Sequence, residues 1–251
     1  MLFFLLLFAI PCSAAPPTLS LSYEQYQTNS FWNRSGARQN AFEHFVARSA
    51  HLYTDYWLTA SDLVFASGSW TQIDEWLNGT KSGIEEVSCG WQRLIYQSPR
   101  CILHGSVTAI IPGGRYEPAL RYGRWGVEPS FSYTHSSPID VLFWTAELGY
   151  RFYLGFPSDQ LRARLFVHYV PLSQLVFSIY SATEYGLFTG KKQSHQSFIR
   201  YNPNYRLLEA GASLAYFPSD YWRVTATFYQ HLWGENVGAG YGFQGAVQMC
   251  F

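Results

Sequence analysis

The chain has 251 residues, 19% aromatic and only 14% charged, and its seventeen basic and seventeen acidic residues leave a formal charge of zero. Soluble chains carry about 25% charged residues, so an ordinary water-facing surface fits poorly, and with no basic stripe nucleic acid is excluded as a partner. Cys89, Cys101 and Cys250 remain once a leader containing Cys12 is removed, an odd number that rules out a small disulfide-stapled scaffold.

The chain starts MLFFLLLFAIPCSAA, an apolar run, a proline and then small residues, which is the pattern of a secretory signal. The expected division is a cleaved signal over 1–14 and a single barrel domain over 15–251. The apolar run is too short to span a bilayer, which takes about 20 residues, and no later run reaches that length. Instead, stretches of strand-like alternation recur along the chain. Twelve strands are expected, at 18–27, 40–50, 54–67, 82–96, 101–111, 120–134, 140–153, 161–170, 174–182, 206–217, 221–231 and 241–251. Alternate side chains of a strand point to opposite faces. In LRARLFVHY this puts Leu161, Ala163, Leu165 and Val167 on one side and Arg162, Arg164 and His168 on the other. In WRVTATF it separates Trp222, Val224, Ala226 and Phe228 from Arg223, Thr225 and Thr227. In 40–50 and 54–67 either face could be the apolar one.

The connections alternate in length. Tight ones are expected at 51–53, 97–100, 135–139, 171–173 and 218–220, with longer ones between, up to the stretch 183–205. Short periplasmic turns and long outer loops are the habit of bacterial outer-membrane barrels, as are aromatic girdles and sparse charge. Lys81, Lys191 and Lys192 all fall in the expected outer loops. The fold class is therefore all-β, a transmembrane antiparallel barrel of about twelve strands in the outer membrane, with lipid and lipopolysaccharide around it.

The last stretch, YGFQGAVQMCF, alternates to its end, with Tyr241, Phe243, Gly245, Val247, Met249 and Phe251 on one face. It resembles the C-terminal signature of Gram-negative outer-membrane proteins. That resemblance implies that Tyr241, Phe243, Val247, Met249 and Phe251 are an assembly signal read by the barrel assembly machinery. Three segments, AIIPGGRYEP (109–118), ELGYRFYLGFPSD (147–159) and ENVGAGYGFQGAVQMCF (235–251), resemble the outer-membrane family catalogued as "meta-pathway of phenol degradation" proteins. They cover about a third of the chain. The resemblance implies passage of small, aromatic or hydrophobic solutes and carries no residue-level site.

The inward faces supply charges of both signs. Asp62, Glu86, Glu128, Glu147 and Glu209 are expected to meet Arg124, Arg151, Arg162, Arg164 and Arg223 in the lumen. Two readings follow from this set: a rigid ion-pair network filling the barrel, or a constriction selecting solutes by charge. The function expected is a channel or uptake barrel, with a non-conducting structural or surface-interaction barrel as the alternative and a lipid-modifying enzyme as a distant one. In YTHSSP, His135 and Ser137 are close in sequence but lack the asparagine that outer-membrane phospholipase A places beside its His–Ser pair, and they fall in an expected turn. No catalytic role, cofactor or metal is expected. His104, His168 and His231 are read as lumenal polar residues, since no pair has metal-ligand spacing on one strand.

Overall fold

The computed structural model describes residues 16–75, 79–115, 123–138, 141–155, 158–187 and 201–251. Twelve antiparallel strands follow in chain order: β1 (Thr18–Trp32), β2 (Arg38–Trp57), β3 (Asp62–Glu75), β4 (Gly79–Gln97), β5 (Cys101–Pro112), β6 (Gly126–Ser136), β7 (Leu142–Tyr153), β8 (Gln160–Leu172), β9 (Leu175–Gly186), β10 (Tyr201–Ser219), β11 (Trp222–Gly238) and β12 (Tyr241–Cys250). Each pairs with its sequence neighbour. β12 returns to β1, with Cys250 opposite Thr18 and Tyr241 opposite Gln27, and the sheet closes into a barrel. Closure pairs every strand edge, which is what a sheet needs to satisfy its backbone groups in hydrocarbon. The expected signal segment, Lys191 and Lys192 lie outside the described residues.

The alternation in sequence becomes an apolar exterior. Leu21, Leu52, Val107, Phe131, Leu148, Leu165, Ile179 and Phe243 all stand exposed on the outer wall. In water such a band would far exceed the few hundred Å² of a tolerable surface patch, and in lipid it is the favourable face. Tyr56, Tyr96, Trp144, Tyr169, Tyr216 and Trp222 ring the rim that carries Thr18 and Cys250, while Trp70, Tyr185, Trp233 and Tyr241 ring the other. These are the two aromatic girdles of a spanning barrel.

Four sequence expectations are corrected here. The tight turn at 51–53 does not form, because the alternation of HLYTDYW carries β2 straight through it. The chain turns at 58–61 instead, where Thr59 Oγ1 accepts the N–H groups of Ser61 at 3.1 Å and Asp62 at 3.0 Å. Asp62 therefore opens β3 on the outer side, 3.2 Å from Trp91 Nε1 and 3.9 Å from Arg93 Nε, and the fully buried Leu63 takes the inward place. A one-residue slip exchanges the two faces of a strand. Arg124 is also outside the lumen, exposed in the connection before β6, since that strand begins at Gly126 rather than at 120. Finally, much of the expected loop sequence is strand: β3 runs to Glu75, β4 already contains Lys81, and β11 continues to Gly238.

Two inward glycines shape the interior. A Cβ on Gly242 would lie 2.3 Å from Tyr229 Cζ, and one on Gly211 would lie 2.4 Å from Tyr180 Cε1. Each tyrosine ring thus lies flat along the wall over its neighbour's missing side chain. Tyr229 also joins Tyr26, Phe45, Ala47 and Ile73 in an apolar cluster on the β1–β3 and β11 side of the lumen.

Candidate functional site

The lumen wall from β4 to β10 carries a continuous ion cluster. Arg151 Nε donates to Glu128 Oε2 at 2.5 Å, and Arg162 Nη1 donates to both oxygens of the same carboxylate at 3.0 and 3.1 Å. Arg162 then reaches the other way, giving Nη2 and Nε to Glu184 Oε1 at 2.6 and 2.9 Å. Tyr205 donates its hydroxyl to Glu184. Arg151 Nη1 also lies 3.8 Å from Glu86 Oε1. The register builds this chain: Arg162 faces Glu184 across β8 and β9, and inward positions of β6 and β7 bring Glu128 beside Arg151. Bridging charge-assisted bonds of this kind hold geometry as well as charge.

Two further acids are held by tyrosine and histidine. Glu209 accepts the Tyr180 hydroxyl at 2.9 Å and lies 3.4 Å from His231 Nε2. Glu24 accepts the Tyr229 hydroxyl at 2.6 Å and lies 3.4 Å from His51 Nε2. The flat tyrosine rings over Gly211 and Gly242 are what place these hydroxyls.

Three charges stand apart. Among the described residues no carboxylate oxygen lies within 4.0 Å of the Arg164 or Arg223 guanidinium. Glu147 Oε1 has no hydrogen-bond partner, although its residue is the register partner of Arg164. These groups border open space. A cavity of about 570 Å³ is lined by Glu147, Arg162, Arg164, His168, Glu184, Glu209 and Arg223, and a second of about 280 Å³ by Glu128, Glu147, Arg151, Arg162 and Arg164. Tyr53, Thr145, Glu147, Arg162 and Arg164 line both, so they form the waist between them.

Of the residues expected in the lumen, Glu86, Glu128, Glu147, Arg151, Arg162, Arg164, Glu209 and Arg223 line or bridge it, and Asp62 and Arg124 do not. His104, His168 and His231 are buried on inward faces. His168 packs between the rings of Phe143 and Phe166, and its Nδ1 lies 2.8 Å from Ser178 Oγ. Sequence reasoning missed Glu184, because 183–205 reads as loop whereas β9 runs to Gly186. It also missed Glu24 and Tyr205. The alternation of EYG with LRARL across the hairpin was the available signal for Glu184. His135 lies within β6 rather than in a turn, its Nδ1 3.3 Å from Cys101 Sγ, and the three described cysteines are free thiols. Tyr241, Phe243, Val247 and Phe251 are exposed on the outer face, with Met249 less so.

A closed twelve-stranded barrel with an apolar exterior, two aromatic girdles and a polar, partly open lumen defines the chain as a transmembrane β-barrel of the outer-membrane type. No protein-family model matches the sequence, and no curated protein matches it. Solved structures do resemble it. An outer membrane channel from Pseudomonas putida F1 aligns with a TM-score of 0.77 and 15% identity over 97% of each chain. The NanC porin aligns at 0.61 with 10% identity, over 93% of this chain and 100% of its own. The KdgM porin aligns at 0.59 with 8% identity, over 92% of this chain and 99% of its own. At these identities the likeness is one of fold.

Proposed function

We propose that the chain is a passive outer-membrane channel for small solutes. The observation that carries this reading is the cavity of about 570 Å³ inside a closed barrel, bordered by Arg164 and Arg223, which have no carboxylate within 4.0 Å among the described residues. An interior serving only as a packed core would neutralise such charges, since an unpaired buried charge is strongly destabilising. The fold likeness to an outer membrane channel and to porins supports the reading. Tyr53, Phe166, Tyr180 and Tyr229 give the cavity aromatic wall. They suit the small aromatic or hydrophobic solutes implied by the resemblance to the phenol-degradation family.

The refolded protein in a planar bilayer is expected to show discrete conductance steps, and a silent bilayer would contradict the channel. One observation favours a non-conducting barrel: Tyr26, Phe45, Ala47 and Ile73 are fully buried and occupy one side of the lumen. On the outer face, lipid and lipopolysaccharide are the proposed surroundings, and Phe251 with the exposed residues of β12 the proposed signal for the barrel assembly machinery.

A further inference from the structure

Arg223 lies one residue into β11, close to the rim that carries Thr18 and Cys250. It is 6% exposed, and its Nε has no hydrogen-bond partner. No carboxylate comes within 4.0 Å of it among the described residues, and the nearby Phe217 ring, 5.6 Å from the guanidinium carbon, offers only a weak cation–π contact. A guanidinium removed from water and left without an acid is unfavourable unless something else supplies negative charge.

The neighbouring wall has the chemistry of an anion site. Gln248 is the register partner of Arg223 on β12, Thr225 is the next inward residue of β11, and both line the same cavity as Arg164 and Arg223. The acids of that cavity are engaged or distant from Arg223: Glu184 is held by Arg162 and Tyr205, Glu209 by Tyr180, and Glu24 by Tyr229. Glu147 stands opposite Arg164. We infer that this part of the lumen binds the oxyanion head of a small solute, a carboxylate or a phosphate, with Arg223 as the charged donor and Thr225 and Gln248 as neutral ones. The inference rests on the reading of the lumen as open to solutes, and it names the solute class as small anions.

The test is calorimetric titration of the refolded full-length barrel with inorganic phosphate and, separately, with benzoate, alongside current block by the same two probes in planar bilayers. The wild type is expected to bind at least one of the two. The stronger probe identifies the head group, and tetraethylammonium chloride at equal ionic strength should bind at neither. Arg223→Gln should weaken binding by at least about tenfold, the loss of one charge-assisted hydrogen bond, and Arg223→Lys should restore part of it. Wild-type affinity in Arg223→Gln, or no binding by the wild type, overturns the site. If Arg223→Gln does not fold, Gln248→Leu decides, because it keeps the cation: unchanged affinity there overturns the site. A barrel that binds phosphate or benzoate but passes no current would sink the channel and leave the site, and one that conducts but binds neither would do the reverse.

Discussion

Arg162 and Arg164 sit two positions apart on β8 and face the same lumen, yet only Arg162 is tied down. The difference lies in their cross-strand partners. Arg162 faces Glu184 on β9 and reaches Glu128 on β6, whereas Arg164 faces Ala182 on β9 and Glu147 on β7 without an ion pair to either side. Identical chemistry on one strand thus becomes scaffold or pore wall according to what the neighbouring strands present. One part of the interior is a closed network that holds the barrel's shape, and the other keeps charge available to whatever enters.

The largest effect is expected at Arg162. Replacing it with Gln takes from Glu184 both of its arginine bonds and from Glu128 one of its two arginines. The loss should be about 3 to 5 kcal/mol of stability, read as a lower denaturant midpoint in refolded vesicles. Next comes Tyr205→Phe, which removes the hydroxyl held by Glu184. It should cost about 1.5 to 3 kcal/mol in the same assay, with ion selectivity unchanged. Gly242→Ala acts on the open side by pushing the Tyr229 ring away from Glu24. The overpacking should cost about 1 kcal/mol, and the released carboxylate should move the reversal potential toward cations. An unmoved reversal potential would mean that Glu24 does not face the conducting path.

Much of this division could be read from sequence where one strand settles the matter. LRARLFVHY gives the faces of β8, and WRVTATF those of β11, because apolar residues alternate strictly with basic or hydroxyl ones. Alternation fails where both faces are mixed. Tyr26, Phe45 and Ile73 are interior although their side chains look lipid-facing, and in β2 the unbroken pattern hid the turn at 58–61 and moved Asp62 to the outer wall. Pairing is the less legible part. That Arg162 meets Glu184 while Arg164 meets Ala182 depends on the β8–β9 register, fixed by a hairpin whose turn lies at 173–174. No property of LRARL distinguishes its two arginines.

The most direct measurement is therefore the reversal potential of Arg164→Gln under a potassium chloride gradient, taken with its unfolding midpoint. The expected result is a shift toward the potassium potential with stability within about 0.5 kcal/mol of the wild type, as for a side chain that makes no ion pair among the described residues. An unchanged reversal potential together with a much lower midpoint would contradict it, and would make Arg164 part of the same scaffold as Arg162.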